Sequence, residues 1–482
     1  MSAAFRRWAI KFRKHFIGRM LLPSCNYDSS EGSLLTQHSG MYAAEYRTAG
    51  TRRSSAHGRR LTVGLSGPSR YGCVALFDSQ RLLGVCEQQR VTRVRGAGFN
   101  PSGLPDEALD TLLERHRHAR DAVTLYAIAE PGLASFAGRA VEQVDHHLAH
   151  ACAAYLSSPF SSAAIVVCDH DLPKVSVWEG RGAEVTRVQW PWEGPGFADL
   201  YSACAGTLGF ASDAGDQHLE ALARLRPGCR DARLAALFKG DGISLTTEPA
   251  WQGQIEDRLP SGEPHGESHA AIVAALQGRI GERFLEFLTR VARHTACTRL
   301  CLAGSFFYHS SMNTLAKCAG LFSEVFVPID PENPGLAVGT ALHVNGCDPR
   351  VISPFLGPAY EANEIKETLD NCKLRYDWKN DEALIETAVN ALRRGALVGW
   401  FEGPMEWGAR ALGGRSILAI PAVHGHRAFR RTRASSFYGV RLPAQGPIRI
   451  SLRTAIARSR RPHPHYRPAV PASLQQVDRG VR

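Results

Sequence analysis

The apolar positions of this chain fall into two successive series of strands and helices. In the first series, three short apolar runs within residues 61–90 predict a strand meander. A helix, a strand, a second helix over Val144–Ser157 and two further strands follow. In the second series, a long helical pattern over residues 267–294 precedes two strands and a helix that begins near Gly335. Because strands followed by helices and more strands occur twice, the pattern favours a duplicated α/β domain.

Composition divides the remainder of the chain into further segments. We predict a basic leader over residues 1–60, the main domain over 61–345, a Pro/Gly-bearing linker over 346–360 and a separate α/β unit over 361–421. The leader has aromatic and basic residues at helical spacing, typical either of a membrane-surface or targeting helix or of non-native sequence before a later start such as Met41. Residues 422–482 are rich in Arg and Pro and contain no Lys. They fit either a disordered tail or a shifted reading frame, and we expect the frameshift.

Charge and cysteine content limit the class of protein. The formal net charge is +11, but residues 1–60 carry +8 and residues 422–482 carry +12, which leaves −9 for residues 61–421. The basic character therefore belongs to the two ends, and we expect no nucleic-acid partner. No apolar run approaches the roughly 20 residues of a membrane helix, so we expect no stable membrane insertion. The twelve cysteines form no CxxC pair, which favours a reduced, cytoplasmic location.

One stretch combines histidines with an acidic residue at the end of a strand. If Asp145 caps a helix, His146 and His150 lie one turn apart on one face, whereas His147 points elsewhere. Asp169 follows the buried, parallel-type strand AAIVVC, at the carboxyl end where ligands bind in open α/β sheets. Two imidazoles and a carboxylate suit Fe(II), Zn or Mn. The alternative is that these histidines only pack or cap, as paired histidines on helices usually do.

Five segments in a fixed order carry a family resemblance. They are HHLAHACAAYLSSPF with IVVCDHD, LCLAGSFFYHSSMNTL, VPIDPENPGLAVGTAL and GWFEGPMEWGARALGGRSILAIP. Together they resemble the O-carbamoyltransferases that tailor nodulation factors and antibiotics. The resemblance implies an actin/hexokinase-like duplicated ATPase fold, followed by an incomplete α/β domain like the threonylcarbamoyl-adenylate synthases. It also implies an enzyme that makes carbamoyl-adenylate from ATP and carbamoyl phosphate. The carbamoyl group then passes to a hydroxyl of a small molecule or oligosaccharide.

The resemblance also assigns candidate site residues. His146, His150 and Asp169 fall on the metal positions of the family, with iron the expected metal, and Asn333 falls on the fourth ligand. The resemblance places five further residues at nucleotide or phosphate positions: Gly304, Asn313, Gly335, Arg410 and Arg415. For Gly304 the alternative is a plain tight turn, and for the two arginines it is a solvated helix face.

This chain departs from the family pattern at several charged positions. Asn333 replaces the fourth metal-binding aspartate, and Tyr71 stands where an active-site aspartate is expected. His309 replaces an asparagine, and His218 stands where a lysine is expected. Since the second domain also stops being recognisable near Pro421, we expect this chain to be unable to complete adenylation. A catalytically inactive relative that keeps nucleotide or metal binding is therefore the alternative function. A sugar kinase of the same fold is disfavoured by the paired histidines and the RALGGRS segment.

Overall fold

The computed structural model describes residues 60–79, 81–130, 135–136, 139–210, 215–259, 267–348, 350–394, 396 and 398–418. All of them fall within one contact-defined unit, Gly58–Arg482. The predicted leader (apart from Arg60) and the Arg/Pro-rich tail lie outside the described residues. The expectations about a later start and a frameshift therefore stay predictions.

The described residues contain these strands and helices. The strands are β1 (Leu61–Ser66), β2 (Cys73–Asp78), β3 (Arg81–Glu87), β4 (Val123–Ile128), β5 (Ser135–Phe136), β6 (Arg139–Gln143), β7 (Ser162–Cys168), β8 (Val175–Arg181), β9 (Glu184–Val188), β10 (Phe238–Gly240), β11 (Leu245–Thr247), β12 (Arg299–Ala303), β13 (Glu324–Phe326), β14 (Val398–Phe401) and β15 (Arg415–Leu418). The helices are α1 (Gln88–Thr92), α2 (Asp106–Arg115), α3 (His146–Tyr155), α4 (Phe197–Thr207), α5 (Gly215–Ala223), α6 (Ala232–Ala235), α7 (Trp251–Glu256), α8 (Glu267–Thr295), α9 (Ser310–Cys318), α10 (Asn333–Val344), α11 (Ala362–Asn371) and α12 (Asp381–Arg393), with short 3-10 helices at Arg120–Ala122 and Ser305–Tyr308.

Two mixed sheets share one topology. The first has the order β3-β2-β1-β4-β6-β5, and the second has the order β13-β12-β7-β8-β9. In each sheet, the strand that comes first in the chain, β1 or β7, begins an antiparallel meander of three strands. The other edge of that strand pairs in parallel with a later strand, β4 or β12. The predicted duplication is therefore present in the strand order. The strand before Asp169, expected to be of parallel type, is mixed, since β7 pairs in parallel with β12 and antiparallel with β8.

Helices α3 and α10 lie in the core that joins the two sheets. Buried residues of β2, β7, α3 and α10 form one apolar cluster, among them Ala75, Ile165, Cys152 and Ala341. The helix α10 approaches β1 closely, because a β-carbon at Gly64 would stand 2.0 Å from the backbone oxygen of Ala337. Glycine is therefore needed at this contact for the helix to reach the sheet.

A second core lies between the second sheet and helices α4, α5 and α8. The rings of Phe197, Phe284 and Phe306 lie 5.3–5.5 Å apart at its centre. The predicted long amphipathic helix is observed as α8. Its apolar face, including Phe284 and Leu288, is fully buried against this core. Aromatic pairs at these distances add stabilisation beyond the apolar area that they bury.

Residues 350–358 form backbone hydrogen bonds with the end of α3, with β3 and with the unit predicted over residues 361–421. Arg350 N–H donates to the Leu156 carbonyl at 3.0 Å, and Val85 N–H donates to the Leu356 carbonyl at 2.9 Å. Met405 N–H donates to the Pro358 carbonyl at 2.8 Å. The segment predicted as a linker is thus packed against β3 and the end of α3, and its role as a domain boundary stays a prediction. In the part of the chain that the structure describes, every helix is too short or too polar to cross a membrane.

Candidate metal centre

The start of α3 sets the direction of its histidines. Asp145 is the N-cap, and its Oδ1 accepts a hydrogen bond from Leu148 N–H at 2.8 Å, as the sequence predicts. The helix therefore begins at His146, and His146 and His150 share a face one turn apart. Their ring centroids lie 4.8 Å apart.

Asp169 meets both histidines at the end of β7. Its Oδ2 lies 2.9 Å from His146 Nε2 and 3.3 Å from His150 Nε2. One ligand atom from each of the three residues lies within 4.8 Å of those of the others. The other carboxylate oxygen, Oδ1, accepts Ser305 N–H at 2.9 Å, which ties the carboxylate to the turn after β12. The structure thus brings together the three residues that the sequence singles out.

The contacts of this group shift the pKa values of Asp169 and His146. Burial alone would raise the pKa of Asp169, but His150, His146 and the Ser305 N–H hold it well below its usual range. Burial would likewise lower the pKa of His146, yet the carboxylates of Asp169, Asp171 and Glu130 raise it. Asp169 is therefore an anion at neutral pH and favours the protonated form of His146.

The donor set fits a divalent cation. Two Nε2 atoms converge on one carboxylate oxygen of Asp169, a residue that is only 6% exposed, at the end of a strand in a mixed α/β fold. Without a cation, each ring nitrogen needs a proton to face that oxygen, whereas a cation would accept all three lone pairs at once. The combination of two imidazoles and one carboxylate is typical of Fe(II), Zn and Mn sites.

His147 lies outside this group, as predicted, and has a different set of contacts. Its Nδ1 is 2.7 Å from Ser176 Oγ, and its Nε2 is 3.2 Å from the Asp171 carbonyl oxygen. Burial lowers the pKa of His147 to about 4, so the ring is neutral at neutral pH. Its hydrogen-bond partners lie in β8 and in the loop after β7 and are not the three candidate ligands.

Asn333 and Gly335 lie in the first turn of α10. Asn333 Nδ2 donates to the Arg70 carbonyl at 3.4 Å, and the Asn333 carbonyl accepts the Ser66 hydroxyl. These contacts tie Asn333 to β1 and the loop after it, and its role as a fourth ligand stays a prediction. A β-carbon at Gly335 would stand 2.2 Å from the Asp330 carbonyl oxygen, so packing alone accounts for this glycine.

The turn after β12 carries several buried polar atoms without a partner. Gly304 has φ +99°, and a β-carbon there would stand 2.2 Å from the Cys168 carbonyl oxygen, so only glycine fits. Asn313 Nδ2 donates to the Phe307 carbonyl at 2.8 Å, which leaves Asn313 Oδ1 without a partner. The other such atoms in this segment are Ser305 Oγ and Tyr308 Oη, whereas His309 Nε2 faces Asp216 Oδ2 at 3.6 Å. Buried polar groups are normally paired, so this row is suited to a polar ligand.

The segment Glu406–Arg415 docks beside this turn. Gly408 N–H donates to Glu87 Oε1 at 3.0 Å, and Ala409 N–H donates to Asp330 Oδ2 at 3.1 Å. Arg410 Nη2 donates to the Tyr308 carbonyl at 2.5 Å, and its guanidinium lies 5.2 Å from the Tyr308 ring centroid. Arg410 therefore lies at the same turn as Gly304. Sequence reasoning missed the two anchoring carboxylates, although Asp330 lies within the quoted segment VPIDPENPGLAVGTAL.

Arg415 has an internal partner. Its Nε donates to Glu406 Oε2 at 2.8 Å, and Glu406 Oε1 accepts the backbone N–H groups of Leu412, Gly414 and Arg415. The Glu406 side chain is fully buried and that of Arg415 is 11% exposed. Burial opposes the charge of Glu406, but Arg415 holds its pKa below the usual value. Of the two predicted phosphate-binding arginines, Arg415 is thus engaged in holding its own loop.

Comparisons with known proteins show which families the sequence matches. Residues 116–342 match the family described as "Carbamoyltransferase N-terminus", and residues 389–430 match "Carbamoyltransferase C-terminus". Nodulation protein NolO of Bradyrhizobium diazoefficiens is 29% identical over 235 residues, which cover 47% of this chain and 38% of NolO. An uncharacterized protein of Synechocystis, sll1178, is 27% identical over 309 residues, which cover 58% of this chain and 50% of that protein. The chain thus spans about half or less of the length of these relatives.

A solved structure is also similar in part. The activator of 2-hydroxyisocaproyl-CoA dehydratase from Clostridium difficile is 15% identical, with a TM-score of 0.40, and the match covers 59% of this chain and 94% of the activator. A TM-score this low carries no inference about function. The two family matches, by contrast, cover more than half of the 482 residues between them, and the chain therefore belongs to the carbamoyltransferase family.

Proposed function

We propose that this chain has the site of an enzyme that transfers a carbamoyl group from carbamoyl phosphate, through carbamoyl-adenylate, to a hydroxyl of a small molecule or oligosaccharide, and that its adenylation step is impaired. The observation that carries the proposal is the convergence of His146, His150 and Asp169 in a member of the carbamoyltransferase family. The duplicated sheet topology supports an actin/hexokinase-like ATPase fold.

Each part of the site has a distinct task in this proposal. His146, His150 and Asp169 hold a divalent cation, with iron the first candidate, and Ser305 N–H keeps the carboxylate in place. A cation bound there would polarise the carbamoyl carbonyl and orient it toward the acceptor hydroxyl.

The nucleotide belongs at the turn after β12. Gly304 keeps the backbone free of a side chain there, and Asn313 Oδ1 and Tyr308 Oη are unpartnered polar atoms in the same segment. Arg410 supplies fixed positive charge beside this turn and suits a phosphate group, whereas Arg415 shapes the loop through Glu406.

Metal analysis tests the centre directly. The full chain would be purified without oxygen, reconstituted with Fe(II) or Zn²⁺, desalted and measured for bound metal. We expect about one ion per chain in the wild type and in His118→Ala, a histidine remote in sequence from the three ligands. His146→Ala and His150→Ala are each expected to lose the bound ion. If the wild type retains no metal, or if the ligand variants retain as much, the proposed centre is wrong.

A second candidate function is binding of metal or nucleotide without transfer. It is favoured by Tyr71, in the left-handed conformation with φ 56°, at the position where the resemblance expects an acid. Incubation of the metal-loaded chain with ATP and carbamoyl phosphate, followed by assay for AMP and pyrophosphate, separates the two functions. Pyrophosphate above that of a reaction without carbamoyl phosphate supports the first function and contradicts its impairment, whereas bound metal without product supports the second candidate.

A further inference from the structure

A second carboxylate faces the candidate metal centre. Asp171 Oδ2 lies 3.4 Å from His146 Nε2, the same atom that faces Asp169. Between these two acids, His170 faces the opposite way, with its Nδ1 3.1 Å from Asp199 Oδ1. The segment Asp169–Asp171 therefore presents both of its carboxylates to His146 and turns its histidine away.

The backbone of Asp171 is held in place by a defined hydrogen-bond chain. Trp178 Nε1–H donates to Ser176 Oγ at 2.8 Å, so the Ser176 hydroxyl is free to donate to His147 Nδ1. The neutral His147 ring then carries its proton on Nε2 and donates it to the Asp171 carbonyl. Lys174 N–H donates to the same carbonyl at 2.8 Å. His147 is thus a positioning residue for the loop that carries Asp171.

The charge of the site favours a second anionic ligand. Two neutral imidazoles and Asp169 neutralise only one of the two positive charges of a divalent cation, and Asn333 would add none. A carboxylate at Asp171 would neutralise the other. The Asp171 side chain is 68% exposed, so it is free to rotate toward a cation.

We propose that Asp171 is an additional ligand of the divalent cation, in the metal centre on which the proposed function rests, and that His147 positions it. The site is then two histidines and two carboxylates, with both carboxylates drawn from the loop after β7. This differs from the arrangement that the resemblance implies, where the last ligand comes from the position of Asn333.

Metal affinity, measured without any turnover assay, tests this inference. The metal-free full chain would be titrated with Zn²⁺ against a chromophoric chelator, in the wild type and in Asp171→Asn, Asn333→Ala and Asp199→Asn. Loss of even an outer contact to a ligand costs roughly 10- to 100-fold in metal affinity, so Asp171→Asn is expected to raise the Kd at least about 10-fold. Asp199→Asn is the matched control, since its carboxylate faces His170 and Lys174 instead. Asp199→Asn is expected to leave the Kd within about twofold, whereas a larger loss of affinity in Asn333→Ala than in Asp171→Asn would contradict the inference and favour the arrangement that the resemblance implies.

The ligand variants separate failure of this inference from failure of the proposed centre. An unchanged Kd in Asp171→Asn, together with loss of binding in His146→Ala, would overturn the role of Asp171 and leave the centre standing. Equal binding by wild type and His146→Ala would reject the centre itself. His147→Ala is expected to raise the Kd in the same direction as Asp171→Asn. Circular dichroism would confirm that it folds; if it does not, Asp171→Asn, at an exposed side chain, decides the question alone.

Discussion

Gly339 of α10 lies directly against Ala149 of α3, and a β-carbon added to Gly339 would stand 2.0 Å from the Ala149 carbonyl oxygen. Since Ala149 lies between His146 and His150 in sequence, this contact sets the distance of the histidine-bearing helix from α10. The geometry of the candidate centre therefore depends on a glycine in a different helix, nearly two hundred residues away in the chain.

Gly339→Ala is expected to destabilise the protein and to weaken metal binding. The methyl group collides with backbone, which cannot rotate away, so α3 must shift; overpacking of this kind costs about 1–3 kcal/mol or more. Gly278 in α8 is the control, because no atom lies within 4 Å of its added β-carbon. Gly278→Ala is expected to gain about 0.5–1 kcal/mol through helix propensity. Urea unfolding of both variants measures the difference, and equal stabilities would contradict the close contact.

Glu406→Gln is expected to destabilise the chain strongly. The substitution leaves the Arg415 guanidinium, only 11% exposed, without its anionic partner. Breaking a buried pair from one side costs roughly 3–5 kcal/mol. The exposed pair Lys366–Asp370 on α11 is the control, and Lys366→Ala is expected to have little effect on stability, because water screens an exposed ion pair. Comparable losses in the two variants, measured by urea unfolding, would show that Glu406 and Arg415 do not form a buried pair in solution.

Titration of the buried Asp330 carboxyl is expected to lower the free energy of unfolding as the pH rises from 4 to 6. Burial, and to a smaller extent Glu87, raises the pKa of Asp330 to about 6 from its ordinary 3.8. In this window the native state keeps a proton that the unfolded chain releases. The native state therefore loses stability up to pH 6 and stays constant above it. A shift of about 2 pKa units corresponds to about 3 kcal/mol.

Asp330→Asn removes this titration and serves as the reference. Relative to Asp330→Asn, the wild type is therefore expected to lose up to about 3 kcal/mol of unfolding free energy between pH 4 and pH 7. Urea unfolding at four pH values across this range measures it. A difference that stays constant with pH would mean that Asp330 has an ordinary pKa in the folded protein.

Local signals in the sequence were sufficient for much of the fold and for three site residues. Periodicity located α3, α8 and most strands, and the capping preference of Asp145 put His146 and His150 on one face. A strand followed by an acid then placed Asp169 at the strand end. Each of these inferences needs only residues that are near one another in the chain, or the general rule for sheet edges.

Contacts between distant segments were not predictable in the same way. Glu87 ends an ordinary strand and Asp330 lies in an ordinary loop, and neither shows by its neighbours that it accepts a backbone N–H from residues 408–409. No local signal marks Asp171 as a ligand, because it lies three residues beyond the end of the strand, in a turn. Its approach to His146 depends on how that turn closes through the Asp171 and Lys174 backbones.

The anchor between Glu87 and Gly408 gives a final prediction about local opening. Glu87 Oε1 accepts Gly408 N–H at 3.0 Å, and Glu87 also pairs with Arg90, whose Nη2 donates to the Gly408 carbonyl at 3.3 Å. Glu87→Ala leaves the buried Gly408 N–H without a partner, which costs about 1–3 kcal/mol. We expect faster amide hydrogen exchange across residues 407–415 and unchanged exchange in α3.

Two variants serve as controls for this prediction. Glu87→Gln keeps an acceptor and is expected to have a smaller effect, and Glu114→Ala, an exposed acid on α2, is expected to have none. Uniformly faster exchange throughout the chain in Glu87→Ala would instead show that Glu87 supports the whole fold, because loss of a local anchor opens only the segment that it holds.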